Sequence, residues 1–518
     1  MSVPVAKGNG VTKMRETERK YEAIEGLELL DPAGLLGFGT GTEPLEQDLK
    51  AVYFDTADLR LIRAGATLRR REGGSDAGWH LKLPVGKDSR EELRLPLGRS
   101  PRRPPAELVA LTRVYTRGAP LAPVAELNTR RRRWVLADAD GKALAELVDD
   151  QVTARSMGEQ ITTVSWREVE VELAEHGQLK LLDRIERRLL KVGARRAGFS
   201  SKLGRLLADR MPLPRIATPG PDSAQSAGEV VLAYLGAQAE RLRRYDPLVR
   251  RDAPEAVHQM RVAARRMRSA LQAFGRVIDR DQTRDLTAEL KWVAGELGRA
   301  RDAEVMAERF AAILMELPDE LKLGPVEAAF TRSFERRQAD ARDVAVAALD
   351  SDRYLALHDQ IDALLADLPI TARATRKAER ELPKSVRRAY RRVESHMADA
   401  DRQPPGEERD RALHETRKAI KRLRYANETV QPTVGKPATR LRKRLKAVQE
   451  LLGEHQDTTV SRPVLRELAA QTHLEGGNVF TYGLLYATET ARAERAENNL
   501  PPAWKRMRKP KNTAWLKK

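Results

Sequence analysis

Up to about residue 210 the chain alternates apolar and polar positions one by one, and beyond about residue 227 the period lengthens to that of a helix. The alternating stretches are TERKYEAIE, LKAVYFDT, ATLRRRE, GWHLKLPV, REELRLPL, RRRRWVLAD, ALAELVDD and SWREVEVEL, with turn signals between them. A period of two sends successive side chains to opposite faces of a strand, so about eight strands are predicted. Only ELVALTRVY and HGQLKLLDRIERRLLKVGA break the alternation with a helical period. Many short strands with few helices predict an antiparallel β-barrel or a strongly curved sheet.

In the second half AGEVVLAYLGAQAERLRRY, PEAVHQMRVAARRMRSALQAFGRV, RDLTAELKWVAGELGRARDAEVMAERFAAIL and their successors read as amphipathic helices. Prolines 318, 369, 383, 432 and 463 are expected between these helices or near their ends. This half also repeats itself. VHQMRVAARRMRSAL aligns with LHETRKAIKRLRYAN, and ELKWVAGELGRARDAEV with RLKAVQELLGEHQDTTV. Two blocks repeated in one order predict a duplication, an all-α pair of four-helix bundles. The Pro/Gly/Ser-rich stretch 211–226 reads as a linker. The expected plan is a disordered segment 1–12, a barrel over 13–210, a helical domain over 227–500 and a disordered basic tail over 501–518. Within the helical domain the repeats cover about 227–370 and 380–500.

Composition narrows the function. At 518 residues two or more domains are expected. No run reaches the roughly 18 apolar residues that a membrane helix needs, and MSVPVAKGNG lacks the apolar segment of a secretory signal. The absence of cysteine removes disulfides, thiolate metal sites and a cysteine nucleophile, and leans towards a cytoplasmic protein. A net charge of +19 favours a polyanionic partner: nucleic acid, an anionic membrane or polyphosphate. How the charges are arranged decides among these.

In the strands the charges are sorted by sign. Glu16, Glu18 and Lys20 share one strand face, and Glu168, Glu170 and Glu172 share another. Arg69 and Arg71 share a face, as do Arg131 and Arg133, and Lys82 stands out in an apolar strand. A solvated sheet face explains any one of these strands but needs no such sorting. A metal–triphosphate complex does need it. Mg²⁺ or Mn²⁺ takes several oxygen ligands, and the phosphate chain takes arginine forks and lysine ammonium groups.

ETERK at 16–20 resembles the ExExK signature of the CYTH domain, the triphosphate tunnel metalloenzymes. The resemblance continues in order through VYFDT, LRRR, HLKL, REE, RRRW, AELVDD, EVEVE and SSK. It implies a metal site of Glu16, Glu18, Asp150, Glu168 and Glu170, with Glu172 and Asp149 as rivals for the late positions. It also implies catalytic roles for Glu16, Glu18, Lys20, Arg69 and Arg71, and phosphate binding by Lys82, Arg131, Arg133 and Lys202. The reaction implied is hydrolysis of a terminal phosphate by a metal-oriented water.

On a helix His258, Arg261, Arg265 and Arg268 fall in one stripe about 80° wide, and His414, Arg417, Lys421 and Arg424 repeat it. Stacked like charges repel, and neither stretch has an acid on that face; Asp302 and Asp457 of the repeated LGxxxD segments are candidates to relieve them. One such row is most simply a solvated face, whereas a duplicated row points to a binding surface. HQMRVAARRMR, LGRARD, HETRKAIKRLR and LGEHQD resemble the two signatures of the CHAD domain, a binder of inorganic polyphosphate. The resemblance makes the eight stripe residues polyphosphate ligands, flanked by Arg266, Lys418 and Arg422.

The leading expectation is a metal-dependent triphosphatase acting on inorganic triphosphate or polyphosphate, with the helical domain holding the chain. It would be cytoplasmic, with an association with polyphosphate granules. Thiamine-triphosphate hydrolysis and cyclisation of ATP are the enzymatic rivals, and a non-catalytic polyphosphate binder is the rival of another class. Specific nucleic-acid binding is the weakest reading, because neither half shows a motif for it.

Overall fold

The computed structural model describes residues 12–23, 44–85, 89–98, 102–158, 161–199, 201–211, 225–324 and 326–517. The segment expected to be disordered, 1–12, and the linker 211–226 lie almost wholly outside the described residues. The chain divides into two compact units, Met1–Pro214 and Arg215–Lys518.

In the first unit the described residues form β1 (Thr12–Glu22), β2 (Leu45–Asp55), β3 (Thr67–Glu72), β4 (Gly78–Pro84), β5 (Ser89–Leu95), β6 (Ala122–Ala137), β7 (Ala143–Ser156), β8 (Thr163–Leu173) and β9 (Arg195–Arg196). The sheet order is β5-β4-β3-β2-β6-β7-β8-β1-β9, and β5 also pairs with β1. The first eight strands therefore close into an antiparallel barrel without a free edge.

This barrel reverses the usual placement of its faces. The outward row of β6, β7 and β8 carries Trp134, Leu136, Ala145, Leu147, Val169 and Val171, buried together with Tyr21. Leu182, Ile185 and Leu189 of helix α2 (Leu179–Lys191) cover them, after helix α1 (Ala106–Thr116) earlier in the chain. The apolar core on that side lies between barrel and helix, leaving the lumen to the charged rows. One end of the lumen turns apolar, because Asp150 is followed on its face by Val152 and Ala154, and Arg131 is preceded by Thr129 and Leu127. These apolar residues pack with Leu203 and Leu207, so a short helix, Lys202–Leu206, stoppers that end.

The second unit begins with α3 (Ala227–Arg250), α4 (Ala256–Ala273), α5 (Arg284–Glu316), α6 (Val326–Asp350) and α7 (Asp352–Ala366). Its second half comprises α8 (Ala378–Arg402), α9 (Glu407–Thr429), α10 (Lys436–Leu474) and α11 (Phe480–Met507). Each of α3 to α6 packs on the next, and so does each of α8 to α11. The two repeats meet through α4 against α9 and α3 against α8, so the two basic helices lie side by side.

Two expectations need correction. The basic tail is folded: α11 runs through Pro501 and Pro502, and Trp504, Met507, Asn512 and Leu516 are buried. Its cations hid an apolar set that anchors the segment to α8 and α10. Pro463 lies inside α10 rather than at an end, and Pro383 lies inside α8. Around Pro463 the side chains of Thr458, Thr459 and Ser461 donate to carbonyls of the preceding turn.

Candidate functional site

The inward rows of all eight barrel strands converge on a cavity of about 530 Å³. Register sets the pairs: Glu16 lies opposite Arg90, Glu18 opposite Glu172, Lys20 opposite Glu170, Lys82 opposite Glu92 and Arg131 opposite Asp150. Glu16, Glu18, Lys20, Arg69, Arg71, Lys82, Arg131, Arg133, Glu170, Glu172 and Lys202 all line the cavity. The alternation in the sequence is what brings them to one place.

Asp150 and Glu168 stand apart from this group. They are buried, and neither lines the cavity. Arg131 grips Asp150 with Nε and Nη2 at 2.8 and 2.7 Å. Lys202 Nζ rises from the stopper helix to within 2.9 Å of Asp150, 2.8 Å of Glu168 and 2.8 Å of Glu170. Trp166 Nε1 donates to Glu168. Asp149 faces the other way and binds Arg167 at 2.7 and 2.8 Å, so of the two aspartates it is Asp150 that points inward.

The remaining carboxylates are held by lysines. Lys20 pairs with Glu170 and lies 3.1 Å from Glu18, while Lys82 pairs with Glu16 and lies 3.7 Å from Glu92. Burial pushes Glu16 up, with Glu92 and Glu18 adding to it and Lys82 opposing. Burial would also raise Glu18, but Lys20 and Lys82 overcome it and hold it down. Glu172 is pushed up to about 8 by burial and by its neighbours Glu16, Glu18 and Glu146. Crowded carboxylates facing one cavity are a donor set that suits a hard divalent cation.

Opposite stand the arginines. Arg69 donates to the Tyr53 hydroxyl at 3.3 Å and lies 3.7 Å from Glu92. Arg71 pairs with Asp76, yet burial and the charges of Arg69 and Arg131 push it down to about 9. Such depression marks Arg71 as a cation crowded by like charges. Glu92, Arg94, Asp76, Glu146 and Tyr53 were not singled out from the sequence. REELRL did place Arg90, Glu92 and Arg94 on one face, whereas Asp76 sits in a turn that has no periodicity to read.

In the helical unit the two rows face a common seam. Arg261 donates from Nε to Ala294 O and from Nη1 to Asp302, both at 3.3 Å. It lies across Gly298, where a Cβ would meet its Nη2 at 3.2 Å. Arg417 repeats this arrangement with Asp457 at 3.7 Å and Gly453 at 3.8 Å. The glycine of each LGxxxD segment gives the arginine room and the aspartate tethers its head. Burial, then Arg265, Arg417 and Arg261, push the Lys421 ammonium down to about 6. Arg265, Arg268 and Arg417 are likewise held below the usual range by burial and neighbouring cations. His258 and His414 are half-buried and pushed down by burial, and His414 is hydrogen-bonded to Gln456. Arg424 lies over the Tyr425 ring, 5.1 Å from its centroid, and Arg266 pairs with Glu428 at 2.9 Å.

A CYTH domain matches residues 14–195, and a CHAD domain matches residues 233–466. The chain belongs to the CYTH family and carries a CHAD domain. An uncharacterized protein of Mycobacterium tuberculosis is 38% identical over 512 residues, covering 95% of this chain and 96% of that one. PptA from Streptomyces chartreusis is 24% identical and covers 54% of this chain and 100% of its own, with a TM-score of 0.47. The CHAD domain from the plant Ricinus communis is 27% identical and covers 58% of this chain and 94% of its own, with a TM-score of 0.43. CYTH domains bind and hydrolyse triphosphate substrates, include cyclases, and generally depend on a divalent metal. CHAD domains are linked to polyphosphate. Among the described residues no helix is long and apolar enough to cross a membrane.

Proposed function

We propose that the barrel hydrolyses inorganic triphosphate or polyphosphate with Mg²⁺ or Mn²⁺, and that the CHAD rows bind the polyphosphate chain. The observation that carries this reading is one cavity with crowded carboxylates on one side and clustered arginines on the other, among which Arg71 is held down by burial and its cationic neighbours. Glu16, Glu18, Glu170 and Glu172 face the cavity and are the residues that would hold the ion. Asp150 and Glu168 would instead fix Lys202 beneath it. When bound, the ion supplies charge neutralisation and orientation of the attacking water. The chain's own residues do the rest. Arg69, Arg71, Arg131 and Arg133 grip phosphoryl oxygens and spread the charge that develops in line with the leaving group. Lys20 and Lys82 sit beside the carboxylates that would hold the ion and would be within the same cavity to bind these oxygens. Lys202 and the apolar stopper close one end, so the chain is held by its terminus.

Phosphate release from triphosphate, long polyphosphate, thiamine triphosphate and ATP, each with Mg²⁺ and with Mn²⁺, tests the reading. Release from the inorganic chains should dominate. Faster turnover of thiamine triphosphate or ATP would replace this substrate class with an organic one.

A further inference from the structure

The seam between α4 and α9 does not exhaust the unpaired cations of the helical unit. A separate cavity of about 400 Å³ opens where the end of α4, the start of α5, α8 and α9 come together. Arg280, Arg284, Arg388, Arg392 and Arg422 line it, and no acidic residue does. Arg280 donates to Gln272 O, and Arg284 pairs with the exposed Asp281. Arg388, Arg392 and Arg422 make no ion pair among the described residues. Ser385 sits on the same wall, 2% exposed, and its Oγ has no hydrogen-bond partner. Thr283 at the N-cap of α5 and Thr287 in its first turn also line the cavity, which brings the positive end of a 33-residue helix to it.

Guanidinium groups without counter-ions, a buried hydroxyl without a partner and a helix start all call for one kind of occupant. It must be small, strongly anionic and rich in acceptor oxygens, which describes a phosphate group. Carboxylate-bearing ligands would fit the charge but offer fewer acceptors per unit length. The cavity is also linked to the seam. Burial lowers Arg268, and Arg265 on one side and Arg422 on the other lower it further. Arg422 in turn is lowered by burial and then by Arg392, with Glu415 opposing but forming no ion pair with it. The repulsion thus runs from the seam into the cavity.

We propose that this cavity is a second phosphate subsite, continuous with the α4–α9 seam, which receives the end of a phosphoanhydride chain and makes the helical unit prefer chains long enough to fill both. The proposal rests on the reading of the seam as a polyphosphate site.

The test compares the full-length protein, Arg388→Ser/Arg392→Ser and Arg265→Ser/Lys421→Ser, titrated in EDTA with tripolyphosphate and with polyphosphate of about a hundred units. The cavity variant should bind the long chain at least about tenfold more weakly, with a shallower salt dependence because fewer counterions are released. Its binding of tripolyphosphate should change by less than about twofold. Since neither arginine has an ion-pair partner, its melting temperature should match wild type. Should the serine variant melt early, Arg388→Gln/Arg392→Gln must show the same loss. Undiminished binding of the long chain by the cavity variant, with loss in the seam variant, overturns this proposal and leaves the seam reading standing. Undiminished binding in both overturns both readings. An equal loss for short and long chains overturns the length preference.

Discussion

At the scale of single residues, the barrel's chemistry depends on which carboxylate is free to meet an ion. Glu18 faces the cavity between two lysines, so Glu18→Ala should abolish phosphate release while leaving the protein folded, with a slightly lower melting temperature because the attraction of Lys20 and Lys82 outweighs the repulsion from neighbouring carboxylates. Turnover in that variant within about twofold of wild type would remove Glu18 from the metal set. Arg69→Ala should slow hydrolysis at least about tenfold through lost contacts to the developing charge, and Arg69→Lys should recover only part of it. Full recovery in the lysine variant would show that point charge alone matters there. In the helical unit Lys421, held near 6 by burial and by Arg265, Arg417 and Arg261, with Asp457 opposing, is mostly neutral at pH 7.5. A bound polyanion restores its usual, higher value, so binding takes up a proton. Affinity should therefore rise as pH falls from 8 towards 6 and level off below 6, by up to about tenfold per pH unit. Calorimetry in two buffers of different ionisation enthalpy reads the proton directly; identical heats in both would exclude Lys421.

At the scale of elements, the last turns of the chain are structural. Trp504 and Met507 of α11 and Leu516 beyond it are buried, so this basic segment is part of the bundle. Trp504→Ala should lower stability by about 3 kcal/mol, the usual loss for a buried large aromatic. Thermal unfolding of the full-length protein checks it, and an unchanged melting temperature would mean the segment docks without contributing. The trio Asp410, His455 and Glu497 shows the opposite lesson. Their ligand atoms converge closely enough for a metal, but Arg409 binds Glu497 at 2.9 Å and Arg462 lies 3.8 Å from Asp410. The charges there are already balanced, and the cluster reads as an ion-pair knot joining α9, α10 and α11.

For the whole molecule, the two units make different demands on metal. Hydrolysis in the barrel calls for an ion among carboxylates, whereas the cationic seam needs none. EDTA should stop phosphate release by the intact protein without weakening its binding of long polyphosphate, and that binding should fall steeply with salt. Filter binding with and without EDTA separates the two, and loss of both together would mean that the seam also works through a bound cation. Duplex DNA binding as tightly as polyphosphate at matched salt would show the +19 charge acting without selectivity.

The sequence by itself determined the architecture and most of the lumen. Strict alternation in ETERK, LRRR, RRRRW and EVEVE assigns each charge to a strand face, and the repeated HxxR and LGxxxD blocks declare the duplication. Both are local periodicities, which the backbone obeys before any long-range contact forms. Tertiary structure alone decided which charges neutralise one another. Lys202 comes from a helix that stoppers the barrel, and it takes Asp150 and Glu168 away from the cavity while leaving Glu172 on it. It likewise gathered Arg388, Arg392 and Arg422 from two helices onto one cavity and buried Trp504 beneath cations. Such outcomes depend on distances between residues far apart in the chain, and no pattern along the sequence encodes them.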